Sequence, residues 1–298
     1  MKTSQATLAA VVALMSGSAL AADLPVLKAP PVLPPPPLWT GFYFGANVGA
    51  IFDAGSGVTT TAFPLYNDAG AAALQPASFF GTASALAVPG STSLSNVGVI
   101  GGGQVGYNWQ FTNFVAGIEA DIQGATLSSA ANLSGAATES STGSMVAGQS
   151  QLSKTLNYLG TVRGRVGYLV TPTLLIYGTG GLAYGGMVFT NGLFLSSANP
   201  NYPLSAVSAN YSDAHIGWTA GGGVEWMFLA NWSAKAEYLY YDLGSVSATN
   251  IAAAPVASGA LLYAAYYQSS ARFNGNIVRA GINYHFSWFT PAPVVAKY

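Results

Sequence analysis

The sequence contains no cysteine, only two histidines and few charges, which make up 6% of its 298 positions. Without cysteine there is no disulfide, no thiol nucleophile and no cysteine-ligated metal. About a quarter of a typical soluble domain is charged, so water is not the main solvent of this surface. The formal net charge of −1 presents no basic face to nucleic acid. Long apolar runs are missing too: beyond the N-terminus nothing reaches the roughly 18 residues of a membrane-crossing helix. What is abundant is glycine, at 36 residues, and tyrosine, at 17. That composition suits thin, twisted, aromatic-rich strands.

The strand reading is carried first by Asn276 to Trp288. Val278, Ala280, Ile282, Tyr284, Phe286 and Trp288 alternate with Arg279, Gly281, Asn283, His285 and Ser287. Successive strand side chains point to opposite faces, so this ribbon has one oily and one wet side. About 9–11 tilted residues of this kind cross a bilayer, provided the sheet closes and leaves no backbone group unpaired in lipid. Seven further stretches follow the same template: 39–52, 97–111, 113–124, 156–170, 173–189, 215–228 and 232–243. The expectation is an all-β, eight-stranded antiparallel transmembrane barrel.

Connection lengths add a second signal. Gln110 to Asn113, Thr171 to Thr173 and Leu229 to Asn231 are tight turns, whereas 53–96, 125–155, 190–214 and 244–274 are expected to be long, Ser- and Ala-rich loops. Short periplasmic turns and long outer loops are the habit of outer-membrane barrels. Aromatics sort in the same way. Trp109, Phe111, Phe114, Tyr168, Phe228, Trp232 and Trp288 lie near the short turns, and Tyr158, Tyr184, Trp218 and Tyr240 near the other end. Such belts mark the two membrane interfaces.

Residues 1–21 read as a secretory signal peptide, with Lys2, an apolar core from Leu8 to Met15 and Ala19-Leu20-Ala21 before the cut. Residues 22–38, rich in proline, read as an extended periplasmic leader. Residues 39–288 are the expected barrel and 289–298 a C-terminal periplasmic tail. Pro291 and Pro293 cannot donate to a ladder, so the last strand is expected to end at Trp288.

WTGFYFGANVGA at Trp39 to Ala50, GWTAGGGVEWMFLANWSAKAEYLYYDLG at Gly217 to Gly244, NIVRAGINYHFSW and the tail PVVAKY resemble the porin-like surface proteins of alphaproteobacteria often called outer-membrane immunogenic proteins. The resemblance implies an eight-stranded barrel akin to outer-membrane protein A, in the cell outer membrane of a Gram-negative bacterium. It implies outer-membrane lipids and lipopolysaccharide as surroundings. The last strand resembles the terminal aromatic strand recognised by the barrel assembly machinery. That family typically has a shorter first loop, so 53–96 is a departure.

Chemistry is sparse. His285-Phe286-Ser287 resembles the His-x-Ser spacing of outer-membrane lipid A deacylases, but both residues take the inward parity near the periplasmic turns, and lipid A lies in the opposite leaflet. Gly101 to Gly103 and Gly221 to Gly223 continue strand alternation and have no following helix to cradle phosphate. No catalytic residue, metal site or cofactor is expected. Eight strand charges fall on the inward parity: Glu119, Asp121, Glu225 and Glu237 against Arg163, Arg165, Lys235 and Arg279. Counting from the turns puts Glu119 level with Arg165, Asp121 with Arg163, and Glu225 with Lys235, while Glu237 and Arg279 fall on adjacent strands. A salt-bridged lumen is expected. The functional expectation is a non-enzymatic surface protein of the envelope, with a narrow diffusion path at most. A solute-conducting porin is the alternative, and a lipid-modifying enzyme stands behind it.

Overall fold

A computed structural model of the chain describes residues 38–286, apart from 56, 67–79, 141, 200–203 and 256–260. The signal peptide, nearly all of the leader, Ser287, Trp288 and the tail lie outside the described residues. Strands dominate: β1 (Gly41–Asp53), β2 (Gly57–Tyr66), β3 (Gly90–Ser93), β4 (Val97–Phe111), β5 (Phe114–Thr138), β6 (Met145–Thr171), β7 (Leu174–Ser197), β8 (Ser205–Leu229), β9 (Trp232–Pro255) and β10 (Leu261–His285). Among the described residues one helix, α1 (Phe80–Ala87), interrupts them. No helix among the described residues is long and apolar enough to cross a membrane.

The sheet has ten strands where the sequence suggests eight. β1, β4 and β5 through β10 pair in order, and β1 pairs back with β10 to close a circuit. β2 and β3 come from the first long connection. Asp53 faces Gly275 on β10, and five residues later Val58 faces Ala271, so β2 carries on up β10 where β1 leaves off. β3 pairs with β2 and runs down towards β4. The last strand ends at His285 within the described residues, although Phe286 N–H still donates to Phe42 O at 2.8 Å.

Outward parity is the oily one. Phe42, Ile118, Ile122, Val166, Leu182 and Val278 are each more than half exposed, in an apolar band of the kind that marks a membrane or protein contact. Trp109, Phe111, Phe114 and Trp232 are exposed at the tight-turn end, and Trp218 and Tyr238 at the other. Each tight turn spans two residues, and Thr112 in the first takes φ 55°.

The other long connections are not loops. β5 and β6 stay paired up to Thr138↔Met145, and β7 and β8 up to Leu195↔Ser205. Paired strands therefore fill most of 125–155, 190–214 and 244–274. Two physical reasons hid them. The outward residues there are small or polar, such as Ser128, Asn132, Gln151, Ser247 and Thr249, because water rather than lipid surrounds them. Bulges also reset the inward parity: on β6 it passes from Lys154 and Leu156 to Leu159 and Thr161, beside a register shift.

The interior is filled in layers. Trp39 closes the tight-turn end among Val115, Leu169, Leu175, Tyr177 and Met227, its Nε1 donating to Pro172 O at 3.0 Å. A charged layer follows. Above it lies an apolar core including Ile51, Ile100, Leu127, Leu152, Phe189 and Phe273. At the far end Phe80, Ala83 and Ala87 of α1 pack against Val146, Leu193 and Tyr267, and Tyr267 OH donates to Ser84 O. Inner glycines allow close strand approach here: a Cβ on Gly102 would lie 2.0 Å from Ile122 O, and one on Gly221 2.0 Å from Tyr238 O.

Candidate functional site

The charged layer is the densest chemistry in the molecule. β5, β6, β8, β9 and β10 each turn one or two charges inward, because alternate positions must face the lumen and an eight-strand circuit leaves width only for side chains. All eight charged residues named from the sequence are at most 5% exposed. Water does not compensate them, so the partners must.

Arg163 sits at the centre. Its Nη2 lies between Glu119 Oε1 and Asp121 Oδ2, the latter at 3.0 Å, while Nη1 meets Glu237 Oε1 at 2.9 Å and Nε donates to Thr161 Oγ1 at 2.9 Å. Arg279 completes the far side, with Nη2 2.6 Å from Glu237 Oε2 and 2.9 Å from Asp121 Oδ2. Lys235 Nζ stands 3.0 Å from both oxygens of Glu119. Arg165 Nη2 pairs with Glu225 Oε2 at 2.6 Å, and its guanidinium lies 4.1 Å from the Tyr177 ring centre. Four acids and four bases thus cancel inside one layer.

Two of the expected heights are offset by two residues, Glu119 facing Arg163 in the β5–β6 ladder and Asp121 facing Thr161, yet both expected pairs form between side chains, Asp121 with Arg163 at 3.0 Å and Glu119 with Arg165 at 3.7 Å. Glu225 and Lys235 are ladder partners as counted. Their side chains nevertheless part, Lys235 reaching across the lumen to Glu119 and Glu225 to Arg165. Long side chains in a narrow lumen choose partners across it as readily as along the wall. Glu237 and Arg279 are ladder partners and also an ion pair.

Neutral groups that carry no charge signal in the sequence complete the layer. Tyr43 OH takes a hydrogen bond from Arg165 Nη1 at 3.1 Å and donates to Glu119 Oε2 at 2.8 Å. Tyr177 OH donates to Glu237 Oε1 at 3.1 Å. Around Glu225, Ser233 Oγ donates to Oε1 at 2.6 Å and Asn283 Nδ2 to the same oxygen at 2.7 Å. Asn283 in turn accepts from Gln104, and Gln104 from Asn47 at 2.9 Å. Inward parity on β1, β4, β7, β9 and β10 is the one sign that could have marked these residues.

His285 has no open substrate face. Its Nε2 lies 2.9 Å from Ser233 Oγ and 3.4 Å from Glu225 Oε1, and its ring is wedged against Trp39 and Tyr43. Serine and acid crowd the same nitrogen, whereas a nucleophile relay needs them on opposite ring nitrogens. No group of three or more potential metal ligands occurs among the described residues.

A closed antiparallel circuit with an oily outer band and a charge-filled lumen is what an outer-membrane barrel requires. Residues 7–286 match the model of the outer membrane protein beta-barrel domain. The chain belongs to the outer-membrane β-barrel family. The 31 kDa outer-membrane immunogenic protein of Brucella melitensis is 33% identical over 287 residues, covering 94% of this chain and 98% of that protein. A 22 kDa outer membrane protein of Rhizobium leguminosarum is 34% identical over 146 residues, covering 48% and 53% respectively. The outer membrane protein OprG of Pseudomonas aeruginosa aligns at 9% identity with a TM-score of 0.37, covering 83% of this chain and 97% of that one. That likeness is too low to transfer a role. This barrel is therefore an outer-membrane protein of a Gram-negative bacterium, with membrane lipid around its apolar band.

Proposed function

We propose that this outer-membrane barrel is a non-enzymatic surface protein that contributes to envelope integrity and has no open pore. The observation that carries this reading is the neutral, buried layer of eight charges, capped by Trp39 below and by an apolar core above. Opening a path would separate buried ion pairs without water to replace them, which is costly. In the same reading residues 1–21 export the chain, 22–38 tether it in the periplasm, and the last strand is the segment handed to the barrel assembly machinery. The long hairpins then project from the cell, where they act as a surface antigen, as the name of the Brucella relatives says of those proteins.

Liposome swelling tests the solute path. Vesicles carrying the folded protein should shrink and recover in arabinose as slowly as empty vesicles, and swelling at porin rates supports the conducting alternative instead. Lipid A mass spectra from cells with and without the protein test the enzymatic one. Unchanged acyl chains are expected, and a lost or added chain would overturn the non-enzymatic reading.

A further inference from the structure

Six lysines and arginines lie among the described residues, and five of them are buried. The sixth, Arg272 on β10, has a side chain 55% exposed on the outer wall. Its height on that wall follows from the β9–β10 ladder. Ten residues on each strand separate Trp232↔Tyr284, at the tight turns, from Asp242↔Asn274. At about 3.3 Å per residue and a tilt of about 40°, that climb is about 25 Å, the height of a barrel's apolar band. The outward residues agree. Val278 and Tyr238 are half-exposed within the band, the Trp218 and Tyr240 rings follow with centres 5.2 Å apart, and Ser245, Ser247 and Gln268 above them are polar and exposed. Arg272 therefore stands where lipid headgroups begin.

A bulge builds this position. Asp242 to Ser245 on β9 faces only Asn274 to Arg272 on β10, so β9 carries one extra residue there. Such a bulge re-aims the side chains beside it. Gly244 within it takes φ 83°, and its N–H donates to Asp242 Oδ1 at 2.9 Å. The carboxylate held in this way accepts from Arg272 Nη2 at Oδ2, while Arg272 Nε lies 3.4 Å from Oδ1. The Asp242 side chain is only 4% exposed, so it sits behind the guanidinium. Lipid meets the cation, not its counter-ion. Arg272 Nη1 makes no hydrogen bond to the described residues. The one exposed carboxylate among them, Asp213, lies five residues farther up β8 from Trp218. Beneath the guanidinium, Asn274 Nδ2 donates to Tyr240 OH at 3.0 Å and Tyr238 OH to Asn276 Oδ1 at 2.6 Å, which gives the site a polar, aromatic footing.

We propose that Arg272 is a docking point for the phosphate group of an outer-leaflet lipid, with Asp242 as its positioning residue. Chemistry, height and charge select this ligand together. A guanidinium with one edge fixed offers its remaining N–H groups in the fork that phosphate oxygens accept. The phosphates of a lipid whose acyl chains cover Val278 and Ile282 fall at the level of Arg272. Basic side chains at a membrane surface attract anionic headgroups, and no other exposed cation among the described residues competes. The proposal rests on insertion in the outer membrane and is independent of whether the lumen conducts.

The test uses the folded full-length protein in detergent, with bisphosphorylated lipid A as the probe, the same lipid stripped of its phosphates as the comparison, and native mass spectrometry as the readout. Wild-type protein should retain the phosphorylated lipid roughly fivefold more than the stripped one, as a charge-assisted contact requires. Arg272→Gln should lose that preference and Arg272→Lys should keep it. Gln268→Ala, which alters an outward residue above the site, should leave it unchanged. Millimolar inorganic phosphate should not displace the lipid, because the acyl chains also hold it. Equal retention of both lipids by the wild-type protein, a preference that survives Arg272→Gln, or displacement by inorganic phosphate would each overturn the proposal. Heat-modifiable gel mobility verifies folding, and if Arg272→Gln folds poorly, the wild-type comparison and Arg272→Lys still decide.

Discussion

Arg163 concentrates the electrostatics of the lumen on one side chain, since its guanidinium serves Glu119, Asp121 and Glu237 together. Arg163→Ala would leave the layer with one more acid than bases, in a place water does not reach. Breaking a buried pair from one side costs about 3–5 kcal/mol. The urea unfolding midpoint of the folded protein in lipid should fall accordingly. Arg163→Ala combined with Asp121→Asn restores neutrality and should recover part of that loss. If the single variant unfolds with the wild-type midpoint, the charges are not closely coupled. The identity and inward placement of these eight residues were legible in the sequence, because strand parity alone puts them on the wet face. Some partners were legible too, Glu237 with Arg279 and Asp121 with Arg163, but Lys235 with Glu119 and Glu225 with Arg165 were not, because a ladder count places Cα atoms while a long side chain crosses the lumen. Tyr43, Ser233 and Asn283 were invisible for another reason: neutral hydrogen-bonding groups carry no pattern until their neighbours are known.

At the scale of the element, the apolar alternation located the lipid-crossing halves of the strands and missed the halves beyond. Backbone pairing continues to Thr138↔Met145 whether lipid or water lies outside, but the outward residues change from Ile118 and Ile122 to Ser128 and Asn132. The oily signal ends at the membrane surface; the strand does not. Protease added to whole cells should therefore cut at the connections 139–144 and 198–204 and spare 125–138, where paired backbone resists the extended binding that proteases require. Efficient cleavage within 125–138 would mean that the upper ladder is not formed in the cell. α1 was hidden by its setting, since six small or apolar residues of a short helix buried inside a barrel show no polar face. At the other end, deletion of 289–298 is expected to leave assembly intact, because Pro291 and Pro293 cannot donate to a ladder and the described pairing with β1 already reaches His285 and Phe286. A truncated chain that accumulates unfolded in the periplasm would place the assembly signal in the tail.

For the whole molecule, glycine, aromatics and low charge set the solvent, the parity set which face meets it, and the tight turns set the order of strands around the circuit. In the proposed function the filling of the inside is decisive, each layer from Trp39 through the ion pairs to α1 opposing passage. Single-channel recording in planar bilayers tests this most directly. The wild-type protein, verified as folded by its heat-modifiable mobility, should show no stable open state in 1 M salt, with at most brief, small steps. Arg163→Ala should raise the frequency of those steps. A large, steady conductance from the wild-type protein, unaltered by that substitution, would contradict a sealed lumen.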